Sequence, residues 1–198
     1  AYAGAGFAES AVATYQRALQ LQPHLAAARL ELARLLLDLG RFDEAEQHAA
    51  AAMADLQDNY PAELLRLDAA LRRAIVSRTL SPELRQQLRS RLEALRKAHP
   101  DDFRPVRLLV DLLMSADQAD DAFAILRAAA GQKSLHKPAS LALIDWRIAR
   151  NRLAEARQAA EQLGKDPDLA RYYLQQIIQC FPDSPQAMAA RQRLAHLS

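Results

Sequence analysis

The sequence has too few cysteine, histidine and aromatic residues for several common kinds of site. Its 198 residues include one cysteine, Cys180, so no internal disulfide can form. The five histidines are scattered singly, and no His or Cys pair has metal-ligand spacing. Aromatic residues make up 6% of the chain, glycine occurs five times, and no alternating apolar and polar run is flanked by hairpin dipeptides. We therefore expect no metal site, no cofactor and no β-sheet.

Catalytic and membrane-spanning motifs are also absent. The sequence contains no Gly-rich phosphate loop, no GxSxG motif and no HExxH motif. The pairs Asp101/Asp102 and Asp120/Asp121 stand where helix N-termini favour negative charge, and Cys180, among apolar residues, is expected to be a buried thiol. We predict no catalytic residues and no enzyme activity. No apolar run reaches about 18 residues, so we expect no membrane span in this sequence.

What the sequence does contain favours helices. It is rich in Ala, Leu, Gln and Arg, which are good helix formers, so we expect an all-α protein. The net charge of +2 is too small to indicate a nucleic-acid or membrane partner by itself. Its distribution is uneven: residues 1–60 carry 4 basic and 8 acidic side chains, and residues 61–98 carry 9 basic and 4 acidic ones.

The first third of the chain repeats itself at a period of about 34 residues. Both copies have a Gly turn, an aromatic residue (Phe7 or Phe42) and a helix with an acidic first turn. Three pairs of small residues recur at this period: Gly6 and Gly40, Ala11 and Ala45, Ala18 and Ala52.

This spacing resembles the tetratricopeptide repeat family, whose units are two antiparallel helices with small residues at the close crossings. Residues 26–59 match one unit, with Leu32 and Ala33 as the large-small pair, Gly40 as the turn and Ala45 as a small site. The resemblance implies a right-handed α-solenoid of stacked antiparallel hairpins, with about 10–11 helices. The segment before Pro23 then holds only a second helix, so we expect the array to continue before this sequence.

The period is lost after residue 60 and returns after Pro100. Asp117 and Asn151 then stand where the earlier units have a turn Gly, and both residue types tolerate turn conformations. Between the two matched stretches we expect helices at 60–78 and 81–98, the second capped by Ser81. We predict one tetratricopeptide-like domain over 1–198, composed of a truncated repeat at 1–25, a repeat at 26–59, an elongated irregular hairpin at 60–100, repeats at 101–136 and 137–167, and a terminal hairpin at 168–198.

The resemblance also implies a binding surface, because the first helices of successive units line the concave face of such a stack. A mixture of apolar and charged residues there would suit an amphipathic helix or an extended segment with an acidic residue near Arg34, Arg104 or Arg107. Some of these side chains would instead pack against the next helix. The positions implied by the resemblance are Leu30, Arg34, Leu37, Arg104, Arg107, Asp111, Met114, Leu141, Asp145 and Ile148.

A second candidate surface is the basic stripe of the irregular hairpin. Arg85, Arg89 and Arg96 recur at helical spacing, with Arg78 just before them. The stripe could bind phosphate groups, could meet the acidic helices of another copy in a homo-oligomer, or could be a solvated face. No aromatic residue lies between the arginines to stack bases, so we do not expect nucleic acid to be the partner.

The predicted function is a non-catalytic scaffold that binds a partner protein or peptide in the concave groove, as part of a larger protein. An alternative is an accessory or regulatory domain of an enzyme whose catalytic domain lies outside this sequence. The Ala- and Arg-rich, Lys-poor composition favours a bacterial origin. The compartment is left open between the bacterial cell envelope (periplasm) and the cytoplasm.

Overall fold

The computed structural model describes the backbone of residues 2–150, 156 and 167–195, and the side chains of 7–150, 156 and 171–195. All regular elements in this part of the chain are α-helices, which confirms the predicted all-α class. The helices are α1 (Tyr2–Leu21), α2 (Ala26–Asp38), α3 (Phe42–Ala52), α4 (Tyr60–Val76), α5 (Pro82–Ala98), α6 (Arg104–Ser115), α7 (Ala119–Ala130), α8 (His136–Ala149), α9 (Pro167–Cys180) and α10 (Pro185–Ala195).

Contacts divide the chain into two compact units, residues 1–118 and 119–198. The first unit contains α1 to α6. Each of its helices packs against the next one along the chain, and α4 also packs against α2 and α6. The unit is therefore a stack of antiparallel hairpins, as the family resemblance implied.

Small residues allow these helices to approach closely. Ala33, Ala45 and Ala52 are at most 1% exposed, and so is Leu32, which forms the large-small pair with Ala33. Gly40 has φ = +74°, a conformation that costs a residue with a Cβ about 1–2 kcal/mol. The predicted Gly turn and small crossing sites are therefore present in the first complete hairpin.

The irregular segment continues the stack rather than interrupting it. Helices α4 and α5 lie within the two predicted ranges, and the Ser81 side chain accepts a hydrogen bond from the Leu84 N–H at 3.2 Å, as an N-cap does. Tyr60 begins α4 one 34-residue period after Ala26 begins α2. Helix α4 has 17 residues and α2 has 13. The residues after α4 in this hairpin are therefore displaced from the 34-residue period.

One of the turns predicted to have Asp or Asn in place of glycine has the expected left-handed backbone conformation. Asp117, two residues after the end of α6, has φ = +58°, in the left-handed region that Asp tolerates better than most residues. The other such position predicted from the sequence, Asn151, lies outside the described residues. Arg78, between α4 and α5, also has a positive φ of 57°, which the sequence did not predict.

The second unit contains α7 to α10. Helix α8 packs against α7 and α9, and α9 packs against α10. Ser184 caps α10 by accepting a hydrogen bond from the Ala187 N–H at 3.0 Å. A core of Ile144, Ile148, Ala156, Tyr173 and Leu174 holds α8 to the helices that follow it.

Candidate functional site

The first helices of three successive hairpins lie side by side in the first unit. Helix α4 packs against α2 on one side and α6 on the other. Their outward surfaces enclose a depression of about 350 Å³. Three helices line this depression, which we call the central groove: Leu30, Glu31, Arg34, Leu37 and Asp38 from α2, Pro61, Leu64, Leu65, Asp68 and Arg72 from α4, and Arg104, Arg107 and Leu108 from α6.

Half of the residues implied by the sequence resemblance line this one groove. They are Leu30, Arg34 and Leu37 from α2, and Arg104 and Arg107 from α6. Although Leu37 is only 4% exposed, it still reaches the floor. The contribution of α4 was not predicted from the sequence, because the hairpin that begins at Tyr60 is out of phase with the repeat. The 34-residue step from α2 to α4 could have identified it.

The other predicted positions have different surroundings. Asp111 and Met114 continue the exposed face of α6 beyond the lining residues. In the second unit, Leu141 is half-buried and Asp145 is exposed. Ile148 is 2% exposed and packs in the core with α9 and α10, so its side chain is a core residue and not an accessible groove residue.

Four arginines and three carboxylates give the central groove its charge. Asp68 binds Arg72 through two hydrogen bonds of 2.6 and 3.1 Å, and the two residues are one helical turn apart in α4. Arg34 forms an ion pair with Glu31 at 3.6 Å, and both side chains are about half exposed. Asp38, one helical turn after Arg34, also lines the groove. The ion pair of α4 is therefore largely self-neutralising, whereas the charge of Arg34 is open to a ligand.

Arg104 is held in place by a cluster at one edge of the groove. Asp102 accepts hydrogen bonds from both the backbone and the side chain of Arg104, and from the Tyr60 hydroxyl at 2.8 Å. The hydrogen bonds from Arg104 lower the pKa of Asp102 to about 2. Burial and the bond to Asp102 raise the pKa of Tyr60 to about 12. Both charge states are therefore fixed near neutral pH.

The position of Arg107 differs from that of Arg104. Among the described residues, no side chain forms a hydrogen bond or ion pair with its guanidinium. Asp111, one turn later in α6, is near enough for charge interaction with Arg107, Asp68 and Arg72. Neighbouring protein atoms partly desolvate the Asp111 carboxyl, although the residue is exposed, and this raises its pKa. Arg107 is thus the cation of the groove with the most unused hydrogen-bonding capacity.

A smaller polar pair occupies the corresponding face of the second unit. The Tyr172 hydroxyl of α9 donates to both carboxylate oxygens of Asp145, at 3.0 Å each. Partial desolvation by neighbouring atoms raises the pKa of Asp145, although the residue as a whole is exposed. Desolvation together with this hydrogen bond raises the pKa of Tyr172 to about 12. Asp145, which the family resemblance placed on the partner-binding face, therefore already accepts a hydrogen bond from within the protein.

The predicted basic stripe is interrupted by contacts within its own hairpin. Arg89 forms an ion pair with Glu93 at 3.1 Å, four residues later in the same helix. The Nε atom of Arg85 is buried. Arg96 is half-buried, whereas Arg78 is exposed in the turn before α5. The four side chains therefore do not form one continuous solvent-exposed row.

Three further expectations concern Cys180, metal binding and membrane spanning. Cys180 is exposed at the end of α9, so the expectation of a buried thiol is wrong. Its helix directs Ile177 into the core and leaves Cys180 on the surface.

The described part of the chain has no group of three His, Cys, Asp or Glu residues suited to a metal ion. Within the same residues, none of the helices combines the length and apolar character required to cross a membrane.

Comparison with known proteins gives one family match and similar solved structures. Residues 2–71 match the family model for the tetratricopeptide repeat. No curated protein matches the chain. A thermophilic TPR protein in Thermus thermophilus is similar in structure, with a TM-score of 0.63 and 22% identity over 89% of this chain and 94% of that one. YrrB, a TPR protein with an unusual peptide-binding site, has a TM-score of 0.47 and 16% identity over 90% of this chain and 97% of that one.

Proposed function

We propose that this tetratricopeptide-repeat protein is a non-catalytic scaffold that binds a segment of a partner protein in the central groove. The observation that carries the proposal is the convergence of α2, α4 and α6 on a single depression with an apolar floor and charged edges. A rigid face of packed helices can present such side chains without loss of the core beneath them.

The floor supplies the apolar part of this surface. Leu30, Leu64, Leu65 and Leu108 come from three different helices, and Pro61 lies beside them. Removing such side chains from water contributes about 25 cal/mol for each Å² of apolar surface buried. Charged residues at the edges then select among apolar segments, because a ligand must match their charges or leave them desolvated and unpaired.

Selection of peptides from a random library tests this function. Twelve-residue peptides would be enriched on the immobilised chain, and the affinity of each enriched sequence measured for wild type, Arg34→Glu and Arg107→Glu. We expect each charge reversal to weaken binding by about tenfold or more, since an ion pair becomes a repulsion. Helical content, followed by circular dichroism, should not change because both side chains are exposed.

Arg17→Glu is the matched control. Arg17 is exposed on α1, outside the central groove, and receives the same change of charge. Its affinity for the selected peptides should equal that of wild type. Enriched peptides that bind all three variants equally would show that the groove is not the binding surface.

A further inference from the structure

The central groove carries two arginines that no carboxylate holds by a hydrogen bond among the described residues, one on each outer helix. Of the four arginines that line it, Arg72 is bound by Asp68 and Arg104 is bound by Asp102. Arg34 and Arg107 remain. Arg34 forms a 3.6 Å ion pair with the half-exposed Glu31, and Arg107 has the charge of Asp111 near it. Neither guanidinium donates a hydrogen bond to a carboxylate among the described residues. A ligand anion therefore has two places to bind.

The distance between these two places follows from the helix packing. Arg34 belongs to α2 and Arg107 to α6, with α4 packed between the two helices. Packed helices lie about 8–10 Å apart, so two steps span about 16–20 Å. An extended chain advances about 3.3 Å per residue, so about five or six residues cross the groove from one arginine to the other.

The surface between the two arginines favours uncharged ligand residues. It is formed by α4, which contributes Pro61, Leu64 and Leu65 to the lining. The charged groups of α4 there, Asp68 and Arg72, already bind each other through two hydrogen bonds. A charged ligand residue placed over them would lose hydration without gaining a free partner.

We propose that the groove recognises an extended protein segment with two acidic side chains six residues apart, on the same side of the segment, and an apolar stretch between them. One carboxylate binds Arg34 and the other binds Arg107, and the apolar side chains contact the leucines of α4. This inference rests on the proposed function, and it adds the chemistry and spacing of the partner segment. Two separated internal acids, rather than one chain-terminal carboxylate, define the ligand.

Synthetic peptides with a single variable separation test the inference. Each labelled peptide has acetylated and amidated ends, an apolar middle and two glutamates separated by three, six or nine positions, and a fourth peptide has one glutamate. Fluorescence anisotropy at low salt gives the affinities. We expect the six-position peptide to bind wild type about threefold to tenfold more tightly than any other, the range that one solvent-accessible hydrogen bond supplies.

Arginine variants then show whether both cations are used by the same ligand. Arg34→Gln and Arg107→Gln should each reduce binding of the six-position peptide to the level of the one-glutamate peptide, and Arg17→Gln should leave it unchanged. Equal affinity for all separations, or for wild type and both groove variants, would overturn the spacing rule. Either result would leave the proposed function intact as long as Arg34→Glu or Arg107→Glu weakens the binding of peptides selected from the random library. If library peptides do not depend on the groove either, both proposals fail.

Discussion

The Tyr60 hydroxyl donates a 2.8 Å hydrogen bond to the carboxylate of Asp102, 42 residues away in the sequence. Tyr60 is the first residue of α4, and Asp102 precedes the first turn of α6, so the bond joins the beginnings of two groove helices. His99 stacks on the Tyr60 ring with centroids 3.6 Å apart. Because Asp102 also holds Arg104, this contact fixes one edge of the central groove.

Asp102→Asn should make the chain less stable at neutral pH and less dependent on pH in acid. Since the folded pKa of Asp102 is lowered to about 2, its charge stabilises the fold fully above the ordinary pKa of 3.8, and this contribution is lost as pH falls toward 2. We expect a loss of about 1 kcal/mol at pH 7, because the exposed Arg104 partner is screened by solvent. Urea unfolding at several pH values measures it.

The matched control for this change is Asp101→Asn, which neutralises an exposed neighbour. Its stability should follow wild type across the pH range. A destabilisation by Asp102→Asn that stays the same at pH 2 and pH 7 would show that the charge of Asp102 is not its cause.

Asp111→Asn should strengthen the binding of acidic segments. Asp111 places a negative charge beside Arg107, and its removal leaves the arginine more attractive to a ligand carboxylate. We expect a gain of about twofold to fivefold at pH 7, typical of one partly exposed charge. The gain should shrink as pH falls through the raised pKa of Asp111, because the wild-type carboxyl then becomes neutral too. Affinity measured against pH for both proteins would detect this, and a gain independent of pH would refute the electrostatic cause.

Ala49→Leu should destabilise the first unit, whereas Ala50→Leu should not. Ala49 is fully buried in α3, which packs against α2 and α4, and Ala50 is its exposed neighbour on the same helix. The larger side chain at the buried site should cost about 1–3 kcal/mol of unfolding free energy. Urea denaturation followed by circular dichroism compares the two variants. Equal stability would mean that the helix crossing is looser than the structure shows.

Substitutions in two turns should change the free energy of unfolding in opposite directions. Gly40→Ala should destabilise the chain by about 1 kcal/mol, because a Cβ disfavours φ = +74° even though it would meet only Phe42 Cζ, 4.0 Å away. Asp117→Gly should stabilise it by a somewhat smaller amount, since glycine adopts φ = +58° without that cost but loses more entropy on folding. Thermal unfolding gives both signs, and equal signs would contradict the backbone explanation.

Much of the fold was predictable from local rules. Gly40, Ala45 and Ala52 repeat residues one period earlier, and each has the turn or crossing role that the period predicts. Ser81 and Ser184 both cap the helices that follow them. Such features depend on neighbours within a few residues, so the sequence pattern contains them.

The features of the groove that the sequence did not predict depend on contacts between residues far apart in the chain. No pattern near Tyr60 indicates that its hydroxyl will bind Asp102, or that Asp68 and Arg72 will lie between Arg34 and Arg107. The extra length of α4 concealed its place in the stack, and with it the middle of the central groove.

The second unit illustrates the same limit. The resemblance assigned Ile148 to the binding face, yet α9 covers it, and that covering depends on how two hairpins stack. Cys180 lies beside apolar residues in sequence and is nevertheless exposed, because its helix is buried on one side only. The two-unit boundary, between α6 and α7, falls inside the repeat predicted at 101–136. The single-domain assignment stays a prediction.

The most direct test of the central claim is a titration of the isotope-labelled chain with a library-selected peptide, followed by nuclear magnetic resonance chemical shifts. If the central groove binds the partner segment, the largest changes will occur at residues of α2, α4 and α6, including Leu30, Leu65 and Arg107. Changes confined to the arginines of α5, or to α1, would contradict the account.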